Sequence, residues 1–306
     1  MVDTSKEKEI FKKFLPGNLI SFFRKIIYPE KIYFLEDDLR SLFLTHYRQV
    51  AAPDLNQRTA IRNAEFKVFS KYGEDGLLLH IFSIIGVTNR TFVEIGVEDG
   101  KECNTANLSI NLGWQGAIID ANKERLESGR SFYKEKLGKN FSKVKMIPSF
   151  VTKGNVNQLL SDNGISGEID LFSIDIDGND YWLWQAVSVV NPRVAVIEYN
   201  ASFGFDKSMT IKYDPNFSAS VKDKSSIYHG ASLLALKKLA KTKGYVLVGC
   251  DSHGIDAFFV RQDLAQGKMA ELSSEEAYYP HSQRLKDVGN TKKQFEQIKH
   301  LDFDHV

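Results

Sequence analysis

Acidic residues recur in this sequence where short apolar runs end. Glu94 lies in TFVEIGVEDG, Asp120 closes GAIID, Asp175 and Asp177 close IDLFSIDID, and Glu198 sits in VAVIEY with Asn200 just beyond it. Buried strands disfavour unpaired carboxylates, so acids gathered at the ends of several strands point to a site. Carboxylates there can accept hydrogen bonds from hydroxyls, pair with a cationic centre or take a proton from a reacting group.

The loop after Glu94 narrows the ligand. Gly96 and Gly100 give the spacing of a tight strand-to-helix turn, the usual seat of a small molecule in an α/β sheet. A dinucleotide loop of the G-x-G-x-x-G type needs a glycine where this chain has Glu98, with Asp99 beside it. Two carboxylates near a diphosphate cost electrostatic energy, yet they are tolerable around a ligand with hydroxyls, an amine and a positive centre. The loop argues against NAD and for S-adenosylmethionine.

The elements that must position these acids follow a regular order. Strands are expected at 91–95, Gly116–Asp120, Val144–Pro148, Ile169–Asp177 and Val194–Tyr199, separated by helices at Asn104–Gly113, Glu124–Leu137, Asn155–Leu160 and Tyr181–Val190. Alternating strands and helices imply a parallel sheet with right-handed crossovers. Gly244–Cys250 and Ile255–Arg261 read as an antiparallel hairpin, preceded by a helix at Ser232–Lys241. Another helix, Leu77–Ile85, leads into the first strand, with Glu74 and Asp75 of KYGEDG at its start, where acids suit the helix dipole. The polar stretch 201–228 beside the ligand edge reads as a lid or substrate-recognition insert.

Three segments result: an N-terminal helical extension (1–70), a central domain (71–265) and a charged C-terminal tail (266–306) suited to packing or dimerisation. Aromatic and aliphatic residues between Phe11 and Ile27 interleave with Lys12, Lys13, Arg24 and Lys25. A basic amphipathic pattern of this kind, over residues 10–30, either touches a membrane surface or packs on the main domain or a second subunit. Glu36–Val50 reads as a second helix.

Composition excludes several classes. The 306 residues carry 42% hydrophobic and 26% charged side chains, enough for a sizeable core, and a net charge of +1 gives no long-range field for a nucleic acid. The two cysteines, Cys103 and Cys250, make no metal clip and suit a reducing compartment. No run of about 18 apolar residues could span a bilayer. The expected location is the cytoplasm, or the inner face of the membrane if the N-terminal helix binds there.

From Tyr72 to Arg261 the strand order, the YGEDG stretch before the first strand and the loop E-I-G-V-E-D-G resemble class I S-adenosylmethionine-dependent methyltransferases, more narrowly the FkbM-like family. The segment SIDIDGNDYW followed by PRVAVIEYN is similar to macrocin-type sugar O-methyltransferases. The resemblance implies a doubly wound, seven-stranded, mostly parallel Rossmann-like sheet. It assigns Tyr72, Glu94, Gly96, Gly100, Asp120, Ser149, Phe150 and Asp175 to the cofactor: Asp120 to the ribose hydroxyls, Ser149 and Phe150 to the adenine, Asp175 to the amino group. It also implies, as the lesser alternative to catalysis without a metal, a divalent cation such as Mg2+ or Ca2+ on Asp177, Glu198 and Asn200, although Asn200 stands where those sugar enzymes carry a second carboxylate.

Methyl transfer from a sulfonium is an in-line displacement that must also remove a proton from the acceptor. Asp177 and His229 are the candidate bases, with His253 a weaker third. Tyr181, Trp182 and Trp184 could line a sugar pocket, although successive helical residues face different ways and at least one tryptophan should be buried. The expected activity is O-methylation of a saccharide or other small hydroxylated acceptor; the rival is a catalytically inactive methyltransferase-like module that binds through its N-terminal helices.

Overall fold

The computed structural model describes residues 61–217 and 227–306. The expected amphipathic helix at 10–30, the helix at Glu36–Val50 and most of the 1–70 extension lie outside the described residues.

One seven-stranded sheet organises the rest. Its strands are β1 (Thr91–Ile95), β2 (Gln115–Asp120), β3 (Val144–Pro148), β4 (Gly167–Ile174), β5 (Val190–Glu198), β7 (Tyr245–Cys250) and β8 (Asp256–Arg261). The order is β3-β2-β1-β4-β5-β8-β7, with β8 antiparallel to both neighbours and the remaining pairs parallel. This is the doubly wound, mostly parallel sheet with a terminal hairpin that the sequence implies. The central strands β4 and β5 are apolar and almost wholly buried, as strands covered on both faces must be.

Helices cover both faces. On one side α1 (Glu74–Ile85), α2 (Ala106–Ile110) and α3 (Lys123–Leu137) pack Leu78, Phe82, Leu108, Leu126 and Tyr133 against the sheet. On the other, α4 (Val156–Asp162), α5 (Asp180–Ala186) and α6 (Leu233–Thr242) bury Leu160, Leu183, Trp184 and Leu236. Strand order reverses between β1 and β4, so a crevice opens at their carboxyl ends, where open α/β sheets bind ligands.

Some boundaries differ from expectation. Strand β4 stops at Ile174, and Asp175–Gly178 form a loop held by Asp180. Helix α5 ends at Ala186, and Val190 already belongs to β5. The stretch 201–228 is not wholly loop: β6 (Met209–Ile211) pairs antiparallel with β9 (Phe303–His305) near the end of the chain. The 266–306 segment is packed into the body. Leu272 N–H donates to Leu247 O, and Tyr199 Oη donates to Tyr279 O, while α7 (Ser282–Asp287) and α8 (Thr291–Ile298) bring Arg284 and Gln294 against Asn200 and Ser202.

Candidate functional site

A cleft of about 450 Å³ opens at the carboxyl ends of β1 and β4, lined by Glu74, Glu94, Gly96, Asn104, Asp175 and Asp256 among others. Gly96 makes the turn possible: at φ +84° it passes so close to β4 that a Cβ would lie 1.6 Å from the Asp175 carbonyl oxygen. Only glycine fits such an approach.

The loop N–H groups explain what the cleft can hold. Val97 and Glu98 both donate backbone N–H to Asp120 Oδ2, at 3.0 and 2.8 Å, and Asn122 N–H donates to Oδ1 at 2.7 Å. In a phosphate-binding loop such N–H groups face the ligand anion; here the protein's own carboxylate takes that place. Glu98 contributes differently from its sequence reading. Its side chain is 79% exposed at the rim of the cleft and lies 3.3 Å from Arg125, and it is Asp120 that takes the loop N–H groups.

Glu94 lines the cleft, but its oxygens also tie β1 to the start of α2. They accept from the N–H groups of Asn104 and Thr105 at 2.8 and 2.9 Å and from the Thr105 hydroxyl. Burial raises its pKa, against the pull of those hydrogen bonds. Asp75 of KYGEDG is a hub rather than a simple cap: its Oδ2 collects the N–H groups of Val68, Phe69 and Ser70. Tyr72 stacks on His253, ring centroids 4.0 Å apart. Gly100, at φ +72°, ends the turn, and its carbonyl accepts from the Tyr133 hydroxyl. Ser149 N–H donates to Asp120 O, which places Ser149 and the 55% exposed Phe150 beside the end of β2.

A second acidic cluster adjoins the cleft. Asp180, fully buried, accepts from Ile176 N–H and Gly178 N–H, and this holds the loop in which Asp177 adopts φ 52°. Burial pushes Asp180 up to about 6, and burial together with the neighbouring charges of Glu198 and Asp177 raises Asp175 well above its ordinary value. Glu198 is raised well above the carboxylate range by burial and then by Asp177 and Asp180. Lys71 faces the cluster: burial alone would lower its pKa, but Tyr72, Asp175, Glu198 and Asp177 together hold it above 10.5.

His229 is buried, and burial followed by the charge of Arg284 lowers its pKa to about 4. Its Nε2 lies 2.7 Å from Arg284 Nη2. A guanidinium only donates, so Nε2 accepts and the proton of the neutral ring sits on Nδ1. That atom lies 3.5 Å from Glu198 Oε2, and neither atom has a hydrogen-bond partner among the described residues. With one nitrogen engaged and the other protonated, this ring has no lone pair free to serve as base.

The divalent cation implied by the resemblance can be tested on these donors. Asn200 spends its amide on structure: Nδ2 donates to the carbonyls of Ile227 and His229, and Oδ1 accepts from Ser202 N–H and Arg284 Nη1. No lone pair is left for a metal. Asp177, Glu198 and His229 do place one ligand atom each within 4.8 Å of one another. A metal on His229 Nδ1, however, would move the proton to Nε2, against the donating guanidinium. The cluster therefore offers two carboxylates and a cationic side chain, a poor fit for a divalent ion.

The tryptophans divide. Trp184 is buried against Phe259 and Tyr245, in the core. Trp182 is half-buried, its indole N–H donates to Ile211 O, and Lys153 lies over its ring and that of Tyr213. Tyr181 is buried.

Several residues at the site escape a sequence reading. Glu74 looks like a helix-start acid, yet it is buried and lines the cleft. Asp256 opens the apolar run DAFFVR, a signal that was available; its Oδ2 accepts from Asn104 Nδ2 at 3.0 Å and its Oδ1 has no partner among the described residues. Arg284 had no signal, because the charged tail around it carries no motif.

The chain matches no family model and no curated protein. Solved structures similar to it include an O-methyltransferase from Bacillus cereus in complex with SAH, at 17% identity and TM-score 0.39, covering 70% of this chain and 94% of that one. Another is the O-methyltransferase TomG from Streptomyces achromogenes in complex with SAM, at 15% identity and TM-score 0.38, covering 73% and 96%. Cofactor-bound Rv0187 from MTB is similar at 14% identity and TM-score 0.40, covering 81% and 98%. Likeness at this level carries no argument about activity or substrate.

Proposed function

We propose that this chain is an S-adenosylmethionine-dependent methyltransferase that O-methylates a saccharide or other small hydroxylated acceptor. The observation that carries this is the carboxylate of Asp120 held in the anion position of the glycine loop. It bars a diphosphate from the loop and keeps one lone pair, on Oδ1, for a ribose hydroxyl, because Oδ2 already accepts twice and Oδ1 once. Support comes from the acids around the cleft, Glu74, Glu94, Asp175 and Asp256, which suit a ligand with an ammonium and a sulfonium, and from Phe150, whose exposed ring offers an adenine a stacking face. The FkbM-like motifs point the same way.

In this reading the acceptor hydroxyl attacks the cofactor methyl in line. The C–O bond forms as the C–S bond breaks, S-adenosylhomocysteine leaves as a neutral thioether, and the acceptor proton passes to a carboxylate of the second cluster. Asp177 suits that task, being exposed beside buried Glu198. Chemistry here is mostly alignment plus proton removal, which the loop fixed by Asp180 can supply. The test is calorimetry of the full chain with S-adenosylmethionine and with NAD: the reading requires binding of the first and fails without it.

A further inference from the structure

Two carboxylates, Asp177 and Glu198, beside a buried histidine form the kind of cluster that ordinarily gathers around a divalent cation. Something must balance their charge, because unpaired carboxylates in a partly buried cluster are costly. Two cationic side chains face them. Lys71 is one. The other is Arg284, which arrives from the C-terminal segment and sits where Glu198 and Asp177 both act on it electrostatically.

The hold on Arg284 is specific. Its Nη2 donates to His229 Nε2 at 2.7 Å, and its Nη1 lies 3.1 Å from Asn200 Oδ1 and 3.4 Å from Ser202 Oγ. Asn200 in turn anchors the backbone of His229 through its carbonyl at 2.9 Å. Guanidinium, imidazole and amide thus form one closed unit, built from the end of β5, the segment before α6, and α7. The unit fixes the imidazole proton on Nδ1, the nitrogen that faces Glu198.

We infer that Arg284 is the built-in cation of this acidic cluster, and that by locking His229 with its proton on Nδ1 it closes the Asp177–Glu198 pair to divalent metals. The inference goes beyond the proposed reaction and does not depend on it, since it concerns what neutralises the two acids. For the acceptor it has a chemical consequence. A chelating metal favours a vicinal diol that it can grip through two oxygens, whereas a guanidinium beside a single carboxylate base favours one hydroxyl with an acceptor oxygen near it.

The experiment uses Mn2+ as the probe and the full chain without added ligand. The electron paramagnetic resonance signal of free Mn2+ reports uptake, and the Glu198→Gln variant defines background binding by surface acids. Wild type is expected to take up no more Mn2+ than Glu198→Gln. Arg284→Met, which removes the guanidinium and frees His229 to present its Nδ1 lone pair, is expected to take up about one further ion per chain, lost again when Glu198→Gln is added. Uptake by wild type that Glu198→Gln abolishes overturns the inference, as does a folded Arg284→Met chain that gains no uptake. Nitrogen-15 histidine spectra of wild type, with His229 assigned by its loss in His229→Gln, decide the matter if Arg284→Met does not fold. The proton on Nδ1 supports the inference, and the proton on Nε2 overturns it. Failure of S-adenosylmethionine binding would sink the proposed function and leave these readouts untouched.

Discussion

The backbone N–H of Glu98 donates to Asp120 Oδ2 at 2.8 Å, across the turn that joins β1 to α2. In the proposed reading, the same carboxylate that closes the turn also meets a ribose hydroxyl. Loop shape and ligand choice therefore depend on one side chain. Asp120→Ala should weaken S-adenosylmethionine binding by about 1.5–3 kcal/mol, the range for hydrogen bonds to a charged group, without creating affinity for NAD. Calorimetry on both ligands measures it; unchanged affinity would show that Asp120 does not touch the cofactor.

Gly96→Ala is expected to be far more damaging than an ordinary glycine substitution. Its added methyl would meet the Asp175 carbonyl oxygen at 1.6 Å and the carbonyl carbon at 2.5 Å, and these are backbone atoms that cannot swing aside as a side chain would. Strain of this kind, added to a positive φ, costs several kcal/mol, roughly 3 or more. A thermal melt should show a large drop or no cooperative transition; a variant within about 0.5 kcal/mol of wild type would mean that β1 and β4 can part at their carboxyl ends.

His80 gives a prediction about acid stability. It is 2% exposed on α1, and burial alone lowers its pKa to about 4. The unfolded chain then binds a proton through the ordinary histidine range near pH 6.5 while the native chain does not, so stability falls as pH drops from about 6.5 to about 4. The shift corresponds to something of the order of 3 kcal/mol at the low end of that window. His80→Leu should flatten the slope of stability against pH there, leaving the share of His229 and His281, which are also held near 4. Urea melts at pH 4.5 and pH 7 would show it, and an unaltered slope would mean that His80 is protonated in the native state.

How much of this was open to a reading of the sequence depends on distance along the chain. The acids at strand ends were visible because local apolar periodicity places each one without knowledge of its partners. That was enough for the sheet, the hairpin and the place of Asp120 at the end of β2. Glu74 and Asp256, however, share the cleft across more than half of the central domain, and only strand order brings them together. Arg284 and the β6–β9 pair are more extreme cases: three-residue strands carry almost no periodic signal, and a lone arginine in a charged tail looks like solvated surface. Trp184 and Asn200 show the opposite limit. Their residue types suggested a sugar pocket and a metal ligand, but the one is needed by the core and the other by the backbone around His229.

Asp180 tests whether the loop after β4 is a device for placing Asp177. Two backbone N–H groups end on its carboxylate, at 2.8 and 2.9 Å, and Asp177 lies between them at a positive φ. Without that anchor the loop should relax towards ordinary backbone angles. Asp180→Ala is expected to cost about 1–3 kcal/mol for the stranded donors and to lower turnover more than cofactor affinity, because the cofactor cleft is lined by Asp175 and not by Asp177. Calorimetry and initial rates on the same preparation separate the two effects. Equal losses in both would place Asp180 in general support of the cleft.

The proton acceptor is the last point at which geometry makes a choice. His229 was the natural candidate by residue type, but Arg284 donates to one nitrogen and the other carries the ring proton beside Glu198. Its pKa near 4 makes it a weak base as well. Asp177 is exposed, close to the cleft and next to a partner, Glu198, that favours sharing a proton because burial already disfavours its charge. With a hydroxylated acceptor in hand, Asp177→Asn should lower kcat by about 10²–10⁴-fold, the usual worth of a positioned base. His229→Asn should cost much less and should leave the pH of half-maximal kcat where it was, since no histidine titration enters the rate. A pH profile that shifts in His229→Asn and not in Asp177→Asn would return the base to the imidazole, and would require Arg284 to leave its nitrogen during turnover.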